Sequence, residues 1–231
     1  MTRVLSIMAA AKTSRGNMKY YDFGLAPNPR RVNVFINEKG LKLETTEINL
    51  RSGEQFKEAF LKVNPLATVP CLALDDGSVL LETMAICRYL EALHPTPCLF
   101  GAKPLDIARI EQWSRRAEME GFLPVADALR NGEPRFANRA VPGRRDYAQI
   151  PALAERGKAR CLAFFADLDQ HLAEREFLAT DFFSAADINA YITVEFAARV
   201  GVKPDASMSN LLRWYRMVGE RPSVRALPAP P

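Results

Sequence analysis

Apolar positions recur along the chain with two periods, and the change between them divides it. From Met18 to about Leu93, short apolar runs of strand length alternate with helical spacings. From Leu105 onward only the helical spacing remains. Lys19 to Phe23 is short and aromatic and reads as a first strand. Gly24 to Pro29 is turn-rich. It predicts a helix with Asn28 as N-cap and Pro29 at the first position, where a missing N–H is no loss. Val32, Phe35 and Ile36 mark the buried face of that helix, which stops at Gly40. Leu43 to Leu50 alternates loosely as a second strand, and Glu54 to Leu61 reads as a short helix. Cys71 to Leu74 has strand character, Asp75-Asp76-Gly77-Ser78 supplies a turn, and Val79 to Leu81 returns as the partner strand. Met84 to Leu93 follows as a helix with Ile86, Leu90 and Leu93 on one face. Pro70, at the mouth of a strand, has no N–H for a ladder and suits an edge or a cis turn, so a cis Val69-Pro70 bond is expected.

His94-Pro95-Thr96-Pro97 is the strongest boundary signal in the chain. Beyond it, Leu105 to Arg130 predicts one long helix bent near Gly121 and Pro124. Asn131 to Pro151, rich in Gly, Pro and Arg and without a period, predicts a loop. Cys161, Phe164, Leu168 and Leu172 form the inward face of the next helix, and Leu211, Trp214, Tyr215 and Val218 that of a later one. Ser184 and Asp187 have capping-box spacing, with Phe183 and Ile188 placed as a hydrophobic staple. The expected division is an extension over residues 1–17, an α/β domain over 18–94, a linker over 95–104, an all-α helical domain over 105–225 and a tail over 226–231.

Composition narrows the function classes without choosing one. The chain has 231 residues, 48% of them hydrophobic and 25% charged. No apolar run approaches a membrane span. A net charge of +4 suits a small anionic ligand and does not call for nucleic acid. The four cysteines, Cys71, Cys87, Cys98 and Cys161, have no CxxC spacing, and the two histidines, His94 and His171, give a metal cluster little material. Reduced thiols in a cytoplasmic protein fit that usage.

The order Asn64-Pro65, Val69-Pro70, strand, Asp76-Gly77, strand, Glu82-Thr83, then a helix with Ala85-Ile86, resembles the glutathione-binding half of the glutathione S-transferase family. Ser184-x-x-Asp187-Ile188 is similar to a signature of that family's helical C-terminal domain. The resemblance implies a thioredoxin-like N-terminal domain, a homodimer, and a cytoplasmic detoxification enzyme joining glutathione to a small hydrophobic electrophile. It assigns the cysteinyl backbone of glutathione to Val69 before Pro70, the α-ammonium to Glu82, and the α-carboxylate to Thr83 and its helix N-terminus. It assigns the glycyl end to Gln55, with Lys57 nearby. The run Trp113 to Ala126 resembles the fourth helix of an atypical fungal and bacterial branch that lacks the usual catalytic Tyr, Ser or Cys. Arg115, Arg116 and Glu118 are expected to line the electrophile pocket, with a solvated or dimer-facing surface as the alternative.

Activation of the thiol is where this chain departs from its relatives. A free thiol has a pKa near 8.5, and lowering it by about two units takes roughly 2.7 kcal/mol of differential stabilisation. Aligned on Arg31-Val32, the serine of one branch falls on Ala26 and the cysteine of another near Pro27, and neither side chain donates a hydrogen bond. Asn28 and the helix N-terminus are the remaining candidates, acting directly or through a water. The alternative function is a glutathione- or ligand-binding member of the fold with little transferase activity. A thioredoxin-type reductase is disfavoured because Ala26-Pro27-Asn28-Pro29 puts no cysteine at the helix start.

Overall fold

The computed structural model describes residues 18–230; the expected extension at the N-terminus lies outside them. Four strands, β1 (Lys19–Asp22), β2 (Glu44–Glu47), β3 (Cys71–Ala73) and β4 (Val79–Leu81), form one mixed sheet in the order β2-β1-β3-β4. β1 and β2 are parallel, and β3 is antiparallel to both β1 and β4. A parallel pair needs a crossover, and α1 (Pro27–Glu38) supplies it between β1 and β2. A 3₁₀ turn (Glu54–Phe56) and α2 (Glu58–Leu61) lead to the hairpin, and α3 (Thr83–Leu93) closes this half. The arrangement is thioredoxin-like. The hairpin turn forms as its residues dictate. Gly77 has φ 82°. Asp76 Oδ1 accepts from the N–H of Ser78 at 2.8 Å.

The second half is helical: α4 (Pro104–Arg116), α5 (Leu123–Gly132), α6 (Pro151–His171), α7 (Ala185–Ala197), α8 (Ser209–Gly219) and α9 (Pro222–Arg225). The predicted bend near Gly121 and Pro124 is a π-helical segment, Ala117–Phe122, that joins α4 to α5. Pro124 has no N–H for the carbonyl four residues back, and Leu123 N–H reaches Glu118 O, five residues back, instead. Gly121 is required there, because a Cβ would meet Phe164 and Thr193 at 2.7 Å. Cys161, Phe164, Leu168 and Leu172 are buried as predicted, as are Leu211, Trp214 and Val218. Tyr215 stacks on Tyr191 with ring centroids 4.7 Å apart.

The capping box at Ser184 and Asp187 is present and larger than its spacing suggests. Asp187 is wholly buried at the start of α7. Its Oδ2 accepts from Ser184 N–H at 3.1 Å and Ser184 Oγ at 3.0 Å. Its Oδ1 accepts from Leu178 N–H at 3.0 Å and from Trp214 Nε1 at 3.1 Å. One carboxylate thus ties α7 to the preceding loop and to α8.

One expected cap is corrected. Asn28 does not cap α1; Ala26 does, and the helix begins at Pro27. The residue before a proline is pushed to extended backbone, and Ala26 takes it with φ −86° and ψ 142°. Asn28 then falls in the first turn, where its Oδ1 accepts from Arg31. The apolar face of α1 is Val32, Val34, Phe35 and Ile36, but Arg30 and Arg31 are buried beside it. Arg30 forms a two-pronged pair with Glu195 of α7, at 2.6 and 2.7 Å, and donates to Pro228 O at 2.6 Å. Arg221 clasps Glu38 at 2.7 and 2.9 Å, and Lys39 donates to His94 O at 2.7 Å. The residues after α9 are therefore anchored: Pro228 lies against Gly24 as well as Arg30.

Candidate functional site

The strand register brings three segments to one end of the sheet. Tyr21 pairs with Cys71, and Cys71 pairs with Leu81. The next residues are the β1–α1 loop on one side, Pro70 in the middle, and Glu82 on the other. The Val69-Pro70 bond is cis. Asn64 shapes the approach to it: this fully buried side chain donates to Thr68 O at 2.8 Å and accepts from Leu66 N–H at 2.9 Å. Val69 packs with Phe23, Ile48, Phe60 and Cys71, and Ala26 lies against the same cluster. Among the described residues, the N–H and C=O of Val69 have no backbone partner. They offer the pair of groups an extended peptide uses on a sheet edge.

Glu82 is exposed and has φ 69°. It is the N-cap residue of α3, yet no side chain caps that helix. The first N–H groups of α3 are then available to an anion, with the helix dipole behind them. Thr83, the first residue of α3, is buried at the same place.

The α1 N-terminus is poorer in donors than its position suggests. Pro27 and Pro29 have no N–H. The N–H of Ala26 is spent on Phe23 O at 2.7 Å. Asn28 therefore supplies the one backbone N–H of the first turn, and its side-chain amide lies next to it. Asn28 is half-buried. The surroundings are basic. Arg199 donates to Leu25 O at 2.6 Å, and it is held below the usual arginine range by burial first and then by repulsion from Arg30, Arg135 and Arg51, with Glu195 opposing. Arg31 is pulled down to about 10 by burial, with Glu118, Cys87 and Glu82 acting the other way. The Cys87 thiol is pushed up to about 12, again by burial first, so it stays neutral and cannot serve Arg31 as a counter-ion.

Gln55 is buried, which excludes a solvated face, and its Oε1 has no partner among the described residues. Lys57 is exposed and pairs with Glu54 at 3.3 Å. The three expected pocket residues do not form one wall. Arg115 is exposed and pairs with Glu118 at 2.6 Å. Arg116 turns towards α6, reaching Asp167 and Glu120 at 2.9 Å and lying over the Trp113 ring at 4.6 Å. Glu118 comes near enough to Arg31 to act on its charge. Arg31 itself is the polar residue that sequence reasoning missed. Val32, Val34 and Phe35 follow it on the helix, and nothing in the local pattern marks an arginine as buried beside them.

A surface concavity lined by Asn131, Pro134, Gln149 and Glu155 contains none of these residues. Among the described residues, no group of three or more His, Cys, Asp or Glu could hold a metal ion, and no helix is long and apolar enough to cross a membrane.

Comparison with known proteins bears on the family and the fold. Residues 26–93 match the glutathione S-transferase N-terminal domain, and residues 141–222 match the C-terminal domain. The chain is 34% identical to glutathione S-transferase 2 of Saccharomyces cerevisiae over 91% of its own length and 89% of the yeast protein. The crystal structure of Gtt2 from the same yeast superposes with a TM-score of 0.81, covering 90% of this chain and 98% of that one. A glutathione S-transferase domain-containing protein of Marinobacter aquaeolei gives the same score at 33% identity, over 89% of this chain and 99% of that one. With both domain families matched and both halves of the fold in place, the chain belongs to the glutathione S-transferase family.

Proposed function

We propose that the protein binds glutathione at the end of the sheet and joins its thiolate to a small hydrophobic electrophile held against the helical half. The observation that carries this reading is the meeting of the unpartnered Val69 backbone before cis-Pro70 with the uncapped N-terminus of α3. The first matches the extended backbone of a tripeptide. The second matches an α-carboxylate, with Glu82 beside it for the α-ammonium. Gln55 would serve the glycyl end, its buried amide gaining the partner it otherwise lacks. Asn28 would act on the sulfur through its N–H and its side-chain amide, since a hydrogen bond to the charged form favours ionisation. Holding thiolate and electrophile together supplies the rest of the rate by proximity.

The companion reading is a binding member of the fold that turns over little, and Ala26 favours it because a methyl group stands where the resemblance places the serine of one branch of the family. Retention on immobilised glutathione, followed by turnover of an aryl halide, separates the two. Retention with turnover supports the transferase, and retention alone supports the binder. A protein that passes through the column unretained refutes both. The same reading includes a cytoplasmic homodimer, which sedimentation of the full chain tests.

A further inference from the structure

Two adjacent arginines on α1 are buried equally and treated differently. Arg30 meets a carboxylate, Glu195, on two prongs. Arg31, 3% exposed, forms no ion pair among the described residues. Its hydrogen bonds go to two neutral amide oxygens, Asn28 Oδ1 and Asn189 Oδ1, the latter at 3.3 Å. Its Nε has no partner, and its flat face covers the Phe122 ring at 4.0 Å. A buried guanidinium without a counter-ion is costly unless an anion arrives to complete it. The anion has a defined place to arrive. Asn28 lies at the start of α1, and Asn189 Nδ2 donates to the sulfur of Met84 at 3.2 Å, in the first turn of α3.

The hydrogen bonds also fix an orientation. A guanidinium only donates, so Asn28 must present its oxygen to Arg31. That turns Nδ2 away, and Nδ2 makes no hydrogen bond to a described residue. We propose that Arg31 is a positioning residue for the thiolate of bound glutathione: it locks the Asn28 amide with its N–H groups free for the sulfur, and it lends the site a positive charge that no ion pair among the described residues takes up. This rests on the glutathione-binding reading and extends it to a residue in the next turn of α1 beyond the expected donor. The titratable groups that face Arg31 from the packed elements are Glu118 of the π-helical segment, Glu82 at the start of α3 and, as a neutral thiol, Cys87 within α3.

The test titrates the thiol of glutathione bound to the full chain, by its ultraviolet thiolate absorbance and by the pH profile of kcat/KM with an aryl halide. Arg31→Met removes charge and fork together. The bound thiol should then titrate about one unit higher, while glutathione affinity measured below the pKa of the bound thiol changes by less than about threefold. Arg31→Lys keeps the charge but cannot reproduce the planar fork, and should give a smaller rise in the same direction. In an Asn28→Ala background the Arg31 substitutions should have a reduced effect, since part of their action runs through that amide. An unchanged thiol titration in folded Arg31→Met overturns the proposal. If Arg31→Met does not fold, an unchanged titration in Arg31→Lys overturns it equally. Failure of the unsubstituted protein to bind glutathione overturns the parent reading and this one with it.

Discussion

Replacing Asp187 by alanine should destabilise the protein by more than a lost helix cap, and by an amount that depends on pH. An ordinary cap contributes about 1 kcal/mol. Here the carboxylate accepts from three buried N–H groups, those of Leu178, Ser184 and Trp214, besides the Ser184 hydroxyl. Orphaning three buried donors at about 1.5–2 kcal/mol each gives a loss of about 5 kcal/mol. Against this stands the cost of keeping a charge inside. Burial, the largest cause, raises the Asp187 pKa from 3.8 to about 6, while its hydrogen bonds pull the other way. A rise of about two units makes the ionised form about 3 kcal/mol less favourable in the folded state. The folded protein holds this proton more tightly than the unfolded chain, so the contribution of Asp187 to stability falls as pH climbs from about 4 to about 6. Alanine has no such slope. Asp187→Ala should therefore cost more near pH 4 than near pH 7, by about 3 kcal/mol. Urea unfolding of both proteins at the two pH values measures the difference. A loss that grows with pH would refute the burial argument, and a loss under about 0.5 kcal/mol at both would refute the contacts.

Glu195→Ala strips the partner from the buried Arg30 and should cost about 3–5 kcal/mol in urea unfolding; a small effect would mean water reaches that guanidinium. Gly157→Ala would push a methyl into the Pro124 carbonyl oxygen and to 3.0 Å from Ala128 N, prising α5 from α6. A drop of about 3 kcal/mol is expected, and an unchanged melting curve would contradict the packing. Thr83→Val removes a hydroxyl from the α3 N-terminus and leaves its N–H groups, so glutathione should bind about five- to tenfold more weakly by calorimetric titration. Equal affinity would remove Thr83 from the site.

The sheet half was legible because its turns are written in residues with one use. Asp76-Gly77 makes a hairpin, Pro70 breaks a strand entrance, and the register that follows sets the site. The second strand came out shorter than expected, since Leu43 and Leu50 are apolar without being paired, and the second helix is preceded by a 3₁₀ turn at Glu54–Phe56. Asn28 misled because two prolines competed to start one helix, and the extended backbone forced on Ala26 decided it. Arg30 and Arg31 were invisible for a different reason. Their burial depends on Glu195 and Asn189, far along the chain, and no local period carries that information. Asp187 shows the same limit: spacing revealed the cap, while the reach to Trp214 came only with the fold.

Arg30 sets a condition on how this protein can be handled. Its partners arrive from 165 and 198 residues downstream, Glu195 and the carbonyl of Pro228. A fragment ending after α3 would keep the residues proposed to hold glutathione and carry a bare guanidinium under its own β1–α1 loop. The sheet half is thus not a cassette that can be grafted elsewhere intact. An affinity tag belongs at the other end of the chain, because one fused just past Pro228 would tug on Gly24 and Arg30, which flank Asn28 in the chain.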